Sequence, residues 1–289
     1  MTPLRQRMID AMVQRGFAVR TQQTYVDAIR RMARHYGRDP ALYTSQDVQA
    51  YLLHMVRDRK LSYSTMNQTA CAAQFLFQTV LGRAREQFHI PFAKVPAKQP
   101  ELLARAQIAE LFAACTHPAR RMLLQTIYAS GLRVSEACAL RVADIDSAPD
   151  RMCIRVACGK GGKGRYSILS PTLLELLRLY ARYVHPATWL FANASGQQPL
   201  NIEIAQRAYR AACLRAGITK SGGIHTLRHC FATHLLEGGV DLHTIQKLMG
   251  HGHLSTTSRY LHLISPQFRP PKELDPLDLL AALPTSPTL

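Results

Sequence analysis

The residues with the clearest chemical potential lie between His225 and Tyr260. His225 and Arg228 are three positions apart, so on a helix their side chains share one face and can meet the same small anion. His251 follows Gly250, where the pattern predicts the end of a helix, and Tyr260 comes nine residues later. Imidazoles, a guanidinium and a phenol without a neighbouring pair of carboxylates indicate a site for a phosphate group.

A further arginine stands at the start of a predicted short helix. Arg133 follows the Gly131-Leu132 pair, and Glu136 comes three residues later, in the first helical turn. A carboxylate there interacts favourably with the helix dipole, so Glu136 has a structural role available that is compatible with a catalytic one for Arg133.

Two lysines occupy a glycine-rich segment at residues 159–164. Lys160 and Lys163 lie between two strand patterns, and the segment lacks both the P-loop spacing and a following helix. We therefore predict the tip of a β-hairpin, either as an exposed loop or as a loop whose lysine reaches a ligand.

A metal site is the main alternative use of the histidines. His225, His229 and His234 share one predicted helix, and His251 and His253 follow it. The chain has no H-E-x-x-H motif and no C-x-x-C pair, and acids are scarce in this stretch. We therefore expect neither a metal nor another cofactor, and we expect His229 to be a structural partner on its helix.

Hydrophobic periodicity predicts that residues 1–88 form helices only. The expected inward stripe of the first helix is Met8, Ile9, Met12 and Val13. The expected first residues or N-caps of the next three helices are Thr21, Thr44 or Ser45, and Ser62 or Ser64.

Residues 101–265 mix helices with three short strands. The strand patterns cover residues 142–146, 152–157 and 165–169. The helix patterns cover residues 104–115, 120–128, 135–140, 172–184 and 202–216, followed by a helix from His225 to Gly238, one capped by Asp241 and a short one capped by Ser255.

A proline-rich linker divides the chain. Three prolines between residues 90 and 100 fix the backbone and remove hydrogen-bond donors, which favours an extended segment. We predict a helical domain at residues 1–88, a linker at 89–100, a second domain at 101–265 and a tail at 266–289. The tail contains one short apolar segment at Leu277, Leu279, Leu280 and Leu283.

Composition indicates a polyanionic partner. The net charge is +17, of which +9 falls in residues 1–100 and +8 in the remainder, so both domains can grip an extended polyanion. The seven cysteines include no C-x-x-C pair. Neither a signal peptide nor an apolar run long enough to span a membrane is visible. We expect a cytoplasmic, DNA-associated bacterial protein that does not bind membranes.

The ordered motifs together resemble the tyrosine recombinase, or phage integrase, family. The similarity rests on His-x-x-Arg at 225–228, Gly-His at 250–251 and Tyr260, joined by Gly-Leu-Arg-x-Ser-Glu at 131–136 and Gly-Lys-Gly at 159–161. It implies a mainly α fold with a small antiparallel β-sheet. A helical core-binding domain and a mixed α+β catalytic domain would close around DNA.

The resemblance also implies roles for individual residues. Tyr260 would be the nucleophile that forms a 3′-phosphotyrosyl intermediate, with His225 as its base and with no need for metal or ATP. Lys160, or else Lys163, would protonate the departing 5′ oxygen. The full catalytic set is Arg133, Lys160, His225, Arg228, His251 and Tyr260, supported by Glu136 and His229.

The expected partner is double-stranded DNA at a specific site. The resemblance implies a homotetramer in the synaptic complex and a monomer or dimer away from DNA, with the tail packing in cis or in trans. Two alternatives are a non-catalytic DNA-binding protein and a type IB topoisomerase-like enzyme. The candidate DNA contacts are Arg20, Thr21, Arg30, Arg31, Arg57, Arg59, Lys60 and Lys163.

Overall fold

The structure is a computed structural model that describes residues 2–84, 90–94, 101–157, 164–219, 222–258, 260 and 261. The chain divides into two compact units, Met1–Lys98 and Gln99–Leu289. The described residues form helices and one three-stranded antiparallel sheet, which confirms the predicted fold class. Lys160, Lys163 and the predicted tail at 266–289 lie outside the described residues.

Every secondary-structure element in the described part of the first unit is helical. The 3₁₀ turn Pro40–Leu42 follows the second helix, and the π-helical stretch Phe75–Val80 extends the fourth. The four α-helices are α1 (Pro3–Gln14), α2 (Val19–Tyr36), α3 (Ser45–Arg57) and α4 (Tyr63–Gln74).

Most of the predicted helix ends in this unit are correct. Thr44 caps α3 through a reciprocal pair of bonds with Asp47, and Ser62 caps α4. Thr21 is not a cap, because Gly16 (φ 67°) turns the chain and the Ala18 carbonyl already accepts from the Thr21 N–H at 2.8 Å. The helix therefore starts two residues before Thr21.

The core of the first unit explains a second difference from the predicted pattern. Met8 and Met12, four residues apart, are buried on one side of α1. Val13 lies a further 100° around the helix and is 58% exposed, so it does not belong to the inward stripe. The larger buried residues of this core include Val26, Ile29, Met32, Tyr43, Val48, Leu52, Met55, Leu76 and Phe77.

The second unit contains eight α-helices among its described residues. They are α5 (Arg105–Ala114), α6 (Pro118–Ser130), α7 (Val134–Cys138), α8 (Pro171–Val184), α9 (Ile202–Arg215), α10 (His225–Glu237), α11 (Leu242–Met249) and α12 (Leu254–Ser258). Asp241 caps α11 as predicted, and Gly250 ends it with φ 62°. The helix α12 begins at Leu254, one residue before the predicted cap at Ser255.

The sheet is a meander in which each strand pairs with the next. Its strands are β1 (Ile145–Asp146), β2 (Cys153–Val156) and β3 (Arg165–Ile168), in the order β1-β2-β3. The first strand is shorter than predicted, since residues 142–144 form a 3₁₀ turn. The Asp144 carboxylate accepts the Arg141 N–H at 3.0 Å and so holds that turn.

Helix α6 lies at the centre of the second unit. Its Leu123, Leu124 and Ile127 are almost wholly buried, and the helix packs against α8, α9 and α10. The ends of α6 and α10 therefore meet at a fixed place, where the candidate residues gather. No described helix is long and apolar enough to cross a membrane, and the six described cysteines are free thiols.

Candidate active site

Arg228 ties together three segments of the second unit. Its side chain leaves the first turn of α10 and is only 5% exposed. One terminal nitrogen donates to the carbonyl of Gly131, just after α6, and the other donates to the carbonyl of Met249 at 2.6 Å. The guanidinium is thus held by backbone groups rather than by a carboxylate.

The setting of Arg228 is strongly electropositive. Burial is the main reason that its pKa falls to about 10, and the nearby charge of Arg133 lowers the pKa further. The charge of Arg165 acts in the same direction, whereas Glu136 and Tyr260 raise the pKa. The group remains protonated at neutral pH, so an anion that entered this region would relieve the crowding of positive charge.

Arg133 approaches the same place from the N-terminus of α7. Its backbone N–H donates to one Glu136 oxygen at 2.8 Å, and its side chain donates to the other at 2.7 Å. A second side-chain nitrogen lies 3.4 Å from the Gly250 carbonyl. Arg133 and Arg228 therefore both contact the turn Met249–His251, although they are 95 residues apart in the chain.

Arg165 is a member of this cluster that the sequence motifs did not single out. Its two terminal nitrogens each donate at 2.7 Å to one oxygen of Glu136, in a fork-to-fork pair. Its Nε donates to the Leu248 carbonyl at 3.0 Å. A Cβ added to Gly250 would lie 2.5 Å from the Arg165 side chain, which explains a glycine there. The sequence feature that could have indicated Arg165 is its position, since it opens a predicted strand directly after the lysine-bearing segment.

Glu136 is the shared acceptor of both arginines. Burial by itself would raise the pKa of this carboxyl group. The hydrogen bonds from Arg165 and from the Arg133 backbone outweigh that effect, and the pKa falls to about 2. Glu136 is therefore ionised at neutral pH and fixes two guanidinium groups at once.

His251 is oriented on both sides of its ring. Its Nε2 lies 3.2 Å from a terminal nitrogen of Arg228, and its Nδ1 lies 2.8 Å from the hydroxyl of Thr257. Because a guanidinium can only donate, Nε2 accepts and Nδ1 donates to Thr257 in this arrangement. Gln246 fixes the backbone, since its side-chain amide donates to the His251 carbonyl at 3.1 Å.

Tyr260 lies inside the same cluster and is only 4% exposed. Its hydroxyl is 3.0 Å from Nδ1 of His229, and its ring is stacked on the ring of His251 at 6.4 Å between centroids and 13° between planes. Its charge also acts on Arg228, as noted above. The predicted nucleophile and the predicted phosphate ligands therefore converge on one site.

His225 sits at the edge of the cluster. Burial lowers its pKa, and the charges of Arg228 and Arg133 lower it further, so the imidazole is neutral at pH 7. Although His225 was predicted to be the base for Tyr260, no hydrogen bond joins the two in the described part of the chain. The phenol contacts His229 instead.

The predicted DNA contacts of the first unit differ in their surroundings. Arg31 and Arg59 line a cavity of about 510 Å³ together with Arg34, His35, Tyr51 and His54. Arg30 lies on a different face of α2 and forms an ion pair with Asp27 at 2.8 Å. The remaining candidates here are the exposed Arg20, Arg57 and Lys60 and the half-buried Thr21.

No group of three or more His, Cys, Asp or Glu side chains suited to a metal ion occurs within the described ranges. The catalytic lysine predicted at Lys160, with Lys163 as the alternative, falls in the segment 158–163 that the structure does not describe.

Comparison with known proteins finds recombinases over almost the whole chain. An integrase/recombinase of Sinorhizobium fredii is 38% identical over 91% of this chain and 85% of its own length. The tyrosine recombinase XerD of Ralstonia nicotianae is 33% identical over 91% of both chains. A λ integrase fragment, solved as a dimer bound to a COC′ core site, has the same fold, with a TM-score of 0.73 at 19% identity over 88% of this chain and 93% of its own.

Two family descriptions match separate parts of the sequence. Residues 4–87 match the phage integrase N-terminal SAM-like domain. Residues 101–265, which carry every member of the site just described, match the phage integrase family itself. The chain belongs to the phage integrase family and is a tyrosine recombinase.

Proposed function

We propose that this chain cleaves and rejoins DNA at a specific site through a covalent bond between Tyr260 and a 3′ phosphate. The observation that carries the proposal is the meeting of two arginines, an imidazole and the phenol at the turn Met249–His251. A protein that only bound DNA would have no use for a buried tyrosine among cations.

The two arginines act on the phosphate. A phosphodiester carries one negative charge and gains a second as the attacking oxygen bonds to phosphorus. Arg133 and Arg228 clamp its two non-bridging oxygens, and Glu136 together with Arg165 keeps Arg133 in place before DNA arrives. Removing one such preorganised donor typically lowers a rate by about 10²–10³.

The remaining groups handle protons and orientation. Tyr260 attacks phosphorus, and the bond to the 5′ oxygen breaks as that oxygen receives a proton from Lys160, or alternatively from Lys163. His225 donates to a phosphoryl oxygen, and His251 does so once its Nε2 carries a proton and turns from Arg228 to the phosphate. The phosphotyrosyl bond preserves the energy of the phosphodiester, so the 5′ hydroxyl of another strand can reverse the step without ATP or a metal.

The binding mode extends the same proposal to the whole chain. The first unit supplies basic side chains to the DNA, among them Arg31 and Arg59. Two DNA sites brought together need four nucleophiles, so the working complex is a homotetramer, formed from monomers or dimers in the cytoplasm.

The test begins with the DNA itself. DNA trapped covalently on the protein in cells is sequenced to identify the target, and a nicked suicide duplex of that sequence is then incubated with purified protein. Wild type is expected to give an adduct on a denaturing gel, and Tyr260→Phe is expected to give none, because the nucleophilic oxygen is missing. The matched control is Tyr183→Phe, since Tyr183 on α8 is 77% exposed and lies outside the site.

Two results would contradict the proposal. An adduct formed by Tyr260→Phe at the wild-type rate would remove Tyr260 from the reaction. Relaxation of supercoiled plasmid irrespective of sequence, without joining of two marked duplexes, would favour the topoisomerase-like alternative.

A further inference from the structure

The hydroxyl of Tyr260 contacts an imidazole that the motifs assigned only a supporting role. His229 lies one residue after Arg228 on α10 and is half-buried. Its Nδ1 is 3.0 Å from the phenol oxygen, and the two rings are 5.7 Å apart between centroids. That separation is within the range of about 2.6–3.2 Å over which a general base takes a proton.

The reaction requires such a base. An ordinary tyrosine has a pKa of about 10, so only about one phenol in a thousand is ionised at pH 7. The positive charge of Arg228 near Tyr260 favours the phenolate, but the proton still needs an acceptor. An imidazole suits this task because it exchanges its proton near neutral pH.

The other two imidazoles of the site are engaged in different contacts. His251 uses Nε2 towards Arg228 and Nδ1 towards Thr257. His225 faces the charges of Arg228 and Arg133, which disfavour a proton on its ring, and within the described residues it makes no hydrogen bond to Tyr260. Geometry therefore separates the three histidines by function.

We propose that His229 is the catalytic base that accepts the proton of Tyr260 when this tyrosine attacks DNA, a step that rests on the function proposed above. The O–H bond of Tyr260 breaks and its proton moves to Nδ1 of His229, while the phenol oxygen bonds to phosphorus. The bond from phosphorus to the 5′ oxygen breaks, and that oxygen is protonated by the lysine. In the rejoining step His229 returns its proton to the departing phenol oxygen.

Two other roles of His229 would change the rate of cleavage in different ways. If the contact with His229 only restrained Tyr260 in the absence of DNA, its removal would free the nucleophile and speed cleavage. If His229 only positioned the phenol, any hydrogen-bond acceptor of similar size would replace it. Three variants separate these cases, namely His229→Ala, His229→Asn and, as the matched comparison, His225→Ala.

The experiment follows single-turnover adduct formation on the nicked duplex from about pH 5 to pH 9. For wild type we expect the rate to fall on the acid side, in the range of roughly pH 5–8 where imidazoles titrate. His229→Ala is expected to be about 10²–10⁴ times slower and to lose this acidic limb. Added imidazole is expected to restore part of the rate to His229→Ala but not to His225→Ala.

The titratable and charged groups around the proposed base are Tyr260, which contacts His229, His251, whose ring is stacked on Tyr260, and Arg228, which precedes His229 on α10. The acidic limb belongs to His229 if it disappears in His229→Ala and persists in His225→Ala. His229→Asn keeps an acceptor but cannot take the proton, so we expect it to be as slow as His229→Ala.

Each opposing outcome overturns the assignment. Wild-type or faster cleavage by His229→Ala would mean restraint, and wild-type cleavage by His229→Asn would mean positioning. A slow His229→Ala with an unchanged acidic limb and no response to imidazole would mean a structural role, which unfolding followed by Trp189 fluorescence would check independently. Continued dependence of the adduct on Tyr260 in all these cases would leave the proposed function intact.

Discussion

At the scale of single residues, the site depends on one carboxylate that serves two arginines. Glu136 accepts from Arg133 and from Arg165, and only 4% of its side chain is exposed. A buried carboxylate with several charge-assisted bonds is stabilised in its ionised form. The low pKa of Glu136, about 2, is the consequence.

This pKa predicts how stability changes with pH. The folded pKa lies below the ordinary value of 4.5, so the stabilisation is fully present above about pH 5 and is lost as the pH falls towards 2. The shift corresponds to at most about 3 kcal/mol. We therefore expect Glu136→Gln to lower the free energy of unfolding by about that amount at pH 7, and by progressively less as the pH falls.

Urea unfolding followed by tryptophan fluorescence measures this difference in the free energy of unfolding for the second unit of the chain. Trp189 is the single tryptophan of the chain and lies in the second unit, which also holds Glu136. Glu175→Gln is a suitable control, because Glu175 pairs with Arg178 on an exposed surface, where 66% and 51% of the two side chains remain accessible. A gap between wild type and Glu136→Gln that stayed constant down to pH 2 would contradict the predicted linkage.

At the scale of elements, the junction between α6 and α10 determines where Arg228 lies. Gly131 ends α6 with φ 62°, and its carbonyl accepts from Arg228. A Cβ at this position would lie 2.3 Å from the ring of Phe231 on α10. Glycine is therefore required twice here, once by the left-handed backbone and once by the close approach of the two helices.

Replacing Gly131 by alanine is expected to disturb both stability and catalysis. The left-handed conformation costs about 1 kcal/mol for alanine, and the overlap with Phe231 adds about 1–3 kcal/mol. Adduct formation is expected to fall as well, because a shift of the 131 carbonyl moves the partner of Arg228. Trp189 fluorescence in urea and the nicked duplex measure the two effects.

Gly217→Ala is the matched control for the backbone contribution alone. Gly217 belongs to the same unit, has φ 66° and has nothing within 4 Å of an added Cβ. It is expected to lose only about 1 kcal/mol and to keep its activity. Equal losses in the two variants would show that α10 adjusts to a larger residue at 131.

The same comparison of elements explains what the sequence could predict. The cap at Asp241 and the end of α11 at Gly250 were predicted correctly, and Thr44 and Ser62 are each one of two predicted alternatives. These positions were predictable because each depends on residues within one helical turn. The prediction of Thr21 as an N-cap was wrong, because the turn at Gly16 lets the helix begin two residues earlier. The hydrophobic stripe alone did not reveal this earlier start.

The sequence predicted several members of the site but neither Arg165 nor the contacts among them. The motif pattern named Arg133, Arg228, His251 and Tyr260, which the fold does bring together. The pairing of Arg165 with Glu136 spans 29 positions, and the contact of His229 with Tyr260 spans 31. Contacts at such separations depend on the packing of β3 and α10, and no local spacing encodes them.

At the scale of the whole molecule, the charge of +17 is distributed unevenly between compensated and uncompensated arginines. In the first unit Arg30 is paired with Asp27, and Arg38 with Asp47 at 2.6 Å. Arg31 and Arg59 have no carboxylate partner among the described residues, and their charges act instead on the phenol of Tyr51 inside the shared cavity. Adjacent phosphates of a DNA strand, one for each arginine, would complete this arrangement.

The difference between the paired Arg30 and the cavity-lining Arg31 predicts how the salt dependence of DNA binding by the full chain responds to their replacement. Each phosphate that a side chain neutralises contributes about −0.9 to the slope of log K against log salt concentration. Arg31→Gln is expected to make the slope shallower by about 0.9, because one phosphate contact is lost. Arg30→Gln, a neighbour on the same helix, removes an equal charge from outside the cavity and is expected to change the slope by less than half as much.

Fluorescence anisotropy of a labelled duplex, measured from about 50 to 300 mM KCl, gives both slopes. A double Arg31→Gln, Arg59→Gln variant is expected to lose about twice as much slope as Arg31→Gln alone, since the two guanidinium groups would neutralise two adjacent phosphates of one strand. Identical slopes for Arg30→Gln and Arg31→Gln would mean that the first unit attracts DNA through its summed charge. In that case the cavity at Tyr51 would not be a contact point, because a diffuse field does not distinguish two adjacent positions on one helix.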